Sequence, residues 1–152
     1  MGRMMDGALR LVGIVAALCL CSATPACSRK PTVTLRERVY LEVPATTKAA
    51  EKVSGVFGSA EETEAVLKKY AMIQRPDFLT NIDFRHEVVI IHPDAEITGT
   101  KVEPLSGLGL IYVRPVSTPG IGIAVASGNG MEKLGKFVEE KRPSHVPTPG
   151  RR

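Results

Sequence analysis

Two histidines, His86 and His92, stand beside Glu87 and Asp94, and these are the residue types that could bind a metal or move a proton. On one strand, positions six apart share a face, but at about 3.3 Å per residue their Cα atoms lie about 20 Å apart. That is too far for two imidazoles to reach one ion at about 2 Å. The pair reads as strand-end histidines facing solvent, and no metal site is assigned. Nucleophilic chemistry finds no better footing: no Gly-x-Ser-x-Gly elbow occurs, no Ser-x-x-Lys follows the N-terminal segment, and His145 sits among prolines. Asp83 is a lone carboxylate, read as an Asx-type turn residue ahead of a strand. The pairs Gly107 and Gly109, and Gly120 and Gly122, open like dinucleotide fingerprints, yet neither reaches a third glycine or a helix, and no Walker lysine motif occurs. They predict bulges or tight packing within strands. No catalytic residue and no cofactor are assigned, and the chain is read as a non-enzyme.

The elements that would position these residues are mostly strands. The run from Asn81 to Pro93 is the densest in β-branched residues outside the N-terminal segment. Val88, Val89, Ile90 and Ile91 in succession suit a central strand buried on both faces, which Pro93 stops. Val33 to Val43 alternates in part, with Val33, Leu35, Val39, Leu41 and Val43 inward and Arg36, Arg38, Tyr40 and Glu42 on a wet outer face. Between Ala45 and Phe57 the pattern allows either a short helix or a strand near Ser54 to Phe57. Ser59 followed by Glu62 forms a capping box that predicts one firm helix over about 60–71. Phe78 and Leu79 then pack into the core. Short segments follow over 97–102, 108–116, 121–126 and 134–139, with a turn at Ser127 to Gly130. The fold class expected is α+β and mostly β, a small antiparallel sheet or sandwich with one helix.

Composition narrows the function classes. The 152 residues include no Trp and 5% aromatics, so the core must come from Val, Ile, Leu and Ala, with few large rings to stack on a ligand. The net charge of +4 comes from basic residues interleaved with acids, as in Arg36, Glu37 and Arg38. That pattern lacks the massed positive face that tracks phosphates, so no nucleic-acid partner is expected.

The N-terminus has the three-part layout of a secretory leader. Arg3 and Arg10 precede an apolar stretch from Leu11 to Leu20, and small residues with Pro25 lead to Cys27. The apolar stretch falls short of the ~20 residues that span a bilayer. The three cysteines, Cys19, Cys21 and Cys27, all belong to this region, so no disulfide can staple the remainder. Ala26, Cys27 and Ser28 resemble the processing site of a bacterial lipoprotein, which implies lipidation of Cys27. Ser28 at the next position implies the outer membrane. Thr24 stands where such sites usually have Leu, and cleavage near Ala23 or Ala26 or an uncleaved anchor are the alternatives. Residues 1–26 are thus read as signal peptide, 27–34 as tether, 35–141 as a single globular domain and 142–152 as a disordered basic tail.

The helix, then Ile82, Asp83, Phe84, Arg85, His86, Glu87, Val88, Val89 and Ile90, then Thr98 and Gly99 with short strands behind them, resemble the PrcB-type domain over about residues 55–140. Domains of that type occur in exported bacterial proteins and lipoproteins and are named for a partner that stabilises a surface protease complex. The family's Thr-Gly-Gly-Tyr is matched at Thr98 and Gly99, with Thr100 and Lys101 replacing its last two residues. The resemblance implies a mostly β accessory that binds or stabilises a partner, with Thr98 and Gly99 in a candidate partner-binding loop. The reading is of an exported, membrane-tethered lipoprotein, located in the outer membrane or periplasm. It acts as a non-catalytic binding module of the cell envelope for an envelope protein partner, with loops around Asp94 to Thr100 and Val116 to Gly120 as its contacts. The alternative is an envelope hydrolase or soluble secreted factor. That alternative would require two of Asp83, His86, His92, Asp94 and Glu103 to converge in a concave pocket.

Overall fold

The computed structural model describes residues 29–44, 52–70 and 75–141. The expected signal peptide, Cys27, residues 45–51 of the segment for which a helix is the alternative, and the expected basic tail lie outside the described residues; the rest of that segment, residues 52–57, is not helical. Among the described residues, seven strands and one α-helix follow in chain order: β1 (Val33–Glu42), β2 (Gly55–Phe57), α1 (Ala60–Lys69), β3 (Glu87–Pro93), β4 (Ala95–Val102), β5 (Gly109–Pro115), β6 (Gly120–Gly128) and β7 (Leu134–Glu139). One sheet has the order β1-β6-β3-β2 with antiparallel neighbours, and the other has the order β4-β5-β7. The fold is α+β and mostly β, as the sequence predicts. It departs from an all-antiparallel meander at β5 and β7, which pair in parallel because β6 leaves for the other sheet between them.

The larger sheet is the middle of three layers. Val89 and Ile91 of β3 join Val66, Leu67 and Tyr70 of the helical side in one core, while Ile90 joins Ile97, Ile111 and Val113 of the smaller sheet in another. All three β3 residues are completely buried, so the unbroken apolar run is explained by cover on both faces. Strand β6 achieves the same with an alternation of size rather than polarity. Ile121 and Ile123 fill the helical side, and Gly122, Ala124 and Ala126 face the smaller sheet. A Cβ at Gly122 would collide with the Ala95 carbonyl oxygen. Gly120 and Gly109 are likewise pressed against Tyr40 and the Lys133 backbone, so these glycines mark tight packing.

Helix α1 begins where the capping box puts it. Ser59 Oγ accepts the Glu62 amide, acids occupy the first turn, and Lys68 and Lys69 occupy the last, where they complement the helix dipole. Phe78 and Leu79, in a 3-10 turn over Asp77–Asn81, pack against the helical core. The segment near Ser54 to Phe57 is the strand β2, paired with β3.

β1 corrects the expectation of a single wet face. A bulge between Leu35 and Glu37 inserts Arg36, and the side-chain alternation switches sides there. Val33 and Leu35 therefore pack toward the smaller sheet, while Val39 and Leu41 pack toward the helix. The strand also reaches further back than a tether over 27–34 allows. Val33 and Thr34 pair with Gly128 and Ser127, and the Thr32 amide donates to Asn129 Oδ1 at 2.7 Å.

Candidate functional site

β1 is an edge of the larger sheet and β4 an edge of the smaller one, and the two edges meet along a seam. Each carries a bulge, at Arg36 in β1 and at Thr98 in β4. A bulge leaves a residue unpaired and sharpens the local twist, so the edges splay where a continuous ladder would have closed the barrel. Side chains bridge the gap: Arg38 donates to the Thr98 carbonyl at 3.0 Å and Thr100 Oγ1 donates to the Val33 carbonyl at 3.0 Å. Between the bridges lies an open groove of about 430 Å³, with Val33 and Leu35 contributing apolar surface and Thr34, Arg36, Glu37, Arg38 and Thr98 polar surface. Arg36 is anchored by Glu87, whose carboxylate lies 3.0 Å away and is largely buried. Glu87 also accepts the Asp83 amide at 3.0 Å.

Thr98 and Gly99, predicted in a loop, lie on β4 at its bulge and line this groove. A Cβ at Gly99 would touch only the Tyr112 ring at 3.8 Å, an ordinary contact, so sterics do not demand glycine there. Arg36 and Arg38 are the residues sequence reasoning placed on a solvated face. The signal that could have found them is Glu37, a charge at a position where strict alternation from Leu35 to Val39 calls for an apolar residue.

The two other segments named as contacts also meet, at the opposite end of β4. Asp94 holds a left-handed backbone with φ of 53°. It exchanges backbone hydrogen bonds with Gly120 and Val116, and its carboxylate accepts the Gly120 amide at 3.0 Å and Lys52 Nζ at 2.8 Å. Burial by itself would raise the Asp94 pKa, but the Lys52 and Gly120 hydrogen bonds outweigh it and hold the carboxyl below its ordinary range. Burial, reinforced by Asp94, pushes the Tyr40 phenol up.

The histidines are not on one strand face, as predicted, because His86 lies in the turn before β3. His86 Nδ1 is 3.0 Å from Asp83 Oδ2, and that hydrogen bond is the chief cause of a lowered Asp83 pKa. Asp83 Oδ1 also accepts the Arg85 amide, giving the expected Asx turn. His92 instead packs at a tilt against Phe137, with ring centroids 4.8 Å apart, and its Nδ1 contacts the Pro93 carbonyl. His86 and Ser127 line one shallow depression of about 400 Å³, but no hydrogen bond joins them among the described residues, and Asp83 does not line it. Glu103 is spent on Ser106 Oγ at 2.9 Å. Among the described residues no group of three His, Cys, Asp or Glu side chains is placed to hold a metal, and no helix is long and apolar enough to cross a membrane. No protein-family model, curated protein or solved structure matches the chain.

Proposed function

We propose that the chain is an exported lipoprotein, tethered through Cys27, that acts as a non-catalytic binding module of the cell envelope. The observation that supports this reading is the seam between β1 and β4. It offers a shallow groove of mixed lining, with Val33 and Leu35 beside Arg36, Glu37 and Arg38, a shape suited to an extended segment of a protein partner. Arg38 already holds the Thr98 carbonyl, so a partner's backbone would compete for an edge group the protein otherwise guards itself. A stabilising accessory role, of the kind the PrcB-type resemblance implies, fits such a surface. A photo-reactive residue in place of Thr98 tests the reading in intact cells. A discrete adduct is expected, weakened by Arg38→Glu, with none from the same probe at Lys136 on β7. No adduct from the tethered protein, or equal adducts at both positions, would count against it.

A further inference from the structure

The most exposed large apolar side chain in the described residues is Leu105, which is fully solvent-accessible, with Leu108 next. Both belong to the connection between β4 and β5, and that connection is fastened from within. Glu103 and Gly107 donate their amides to the Leu108 and Glu103 carbonyls at 2.9 and 2.8 Å, and the Leu108 amide donates to Ser106 Oγ. A leucine held outward on a braced turn gains nothing in water, since burial is what stabilises an apolar side chain.

Its place in the fold says what covers it. Val102, at the end of β4, lies with Pro31 and Val33 around Gly130, and Gly109, at the start of β5, sits against the Lys133 backbone. The Leu105 turn, the turn after β6 and the N-terminal segment thus share one end of the sandwich. Thr32 is fixed there by Asn129. From Thr32 back to Cys27 is five residues, a reach of at most about 18 Å when fully extended. Arg29, Lys30, Lys101 and Lys133 are exposed on the same end. Against them stand Glu132, exposed, Glu103, already bonded to Ser106, and Asp83 in the turn before β3, already paired with Arg85 and His86.

We propose that this end of the domain rests on the lipid bilayer, with Leu105 and Leu108 in the interface and the basic residues among anionic headgroups. The inference rests on the tethered reading and adds an orientation to it. The seam groove, flanking the sandwich, then faces sideways along the membrane surface rather than into it.

The absence of Trp from the chain supplies a clean reporter. Full-length protein carrying Leu105→Trp, or Ser117→Trp at the exposed far end as a control, is reconstituted in vesicles of phosphatidylethanolamine and phosphatidylglycerol bearing brominated acyl chains. Flotation reads the tether, and quenching reads the docking. The expected result is that both variants float, that Leu105→Trp loses most of its emission and shifts to the blue, and that Ser117→Trp does neither. Floating protein in which both tryptophans stay unquenched and open to aqueous acrylamide overturns the docking and leaves the tether standing. A Leu105→Trp shielded from acrylamide yet unquenched by bromolipid means that a protein covers this end, which also overturns it. Protein that fails to float overturns both.

Discussion

Replacing Asp94 separates three contributions that meet at one corner. The Gly120 amide donates to its carboxylate at 3.0 Å, and a hydrogen bond to a charged group contributes about 1.5–3 kcal/mol. The Lys52 pair is partly open, with 44% of the Asp94 side chain exposed, so solvent screening limits it to about 1 kcal/mol or less. Left-handed backbone at a residue without a short polar side chain costs about 1 kcal/mol more. Asp94→Ala therefore loses roughly 3–5 kcal/mol, and Asp94→Gly, spared the backbone strain, about 1 kcal/mol less. Asp94→Asn keeps the turn and an oxygen for the Gly120 amide and loses only roughly 1–2 kcal/mol. Urea denaturation of the series reads this order as midpoints falling from wild type through Asn and Gly to Ala at constant slope. The pH dependence follows from the lowered Asp94 pKa. A carboxylate held below its ordinary range stabilises the fold above that range, and the stabilisation is lost as the pH falls through the folded-state pKa. The gap between wild type and Asp94→Asn should therefore be full at neutral pH and close in acid. Asp94→Ala as stable as Asp94→Asn would refute the corner as described, and a gap that widens in acid would refute its electrostatic part.

Four further outcomes are expected. Tyr70 is fully buried and donates to the Val53 carbonyl at 2.7 Å, so Tyr70→Phe leaves that carbonyl unpartnered and lowers unfolding stability by roughly 1–2 kcal/mol. In wild type, ultraviolet titration should find this phenol ionising at about 12, chiefly because of burial. Gly122→Ala drives a methyl into the Ala95 carbonyl and must displace backbone between the two sheets, so a loss of roughly 2 kcal/mol or more in thermal unfolding is expected, against little loss for Gly99→Ala. Arg36→Met strands the buried Glu87 carboxylate. With Arg36 itself 42% exposed the loss should be roughly 2 kcal/mol, below the fully buried limit, and Arg36→Met with Glu87→Gln should recover part of it.

How much of this was legible depended on whether the signal was local. The capping box at Ser59 and the run from Val88 to Ile91 are written in adjacent residues, and each forms its element where expected; the turn expected at Ser127 to Gly130 begins only at Asn129, because Ser127 and Gly128 are still paired in β6. The glycines at 109, 120 and 122 gave away tight packing but not its partners, which arrive from distant strands. What could not be read was set by pairing between segments far apart in sequence. The parallel match of β5 with β7 depends on β6 changing sheets, and the seam exists because bulges at Arg36 and Thr98 face each other across 62 positions. Thr98 and Gly99 are therefore visible in sequence as residues but not as part of a bulged strand, and Arg36 and Arg38 look like ordinary solvated charge. His86 was misplaced for a similar reason, because the Asx turn at Asp83 ends before the strand begins.

The most direct test of the tethered binding module is the intact mass of protein recovered from native membranes, with a Cys27→Ser variant beside it. The expected result is a mass of residues 27–152 plus acyl chains, absent from the variant, which should leave the membrane fraction. A soluble, unacylated wild-type protein would contradict the tether and redirect the search to a diffusible factor.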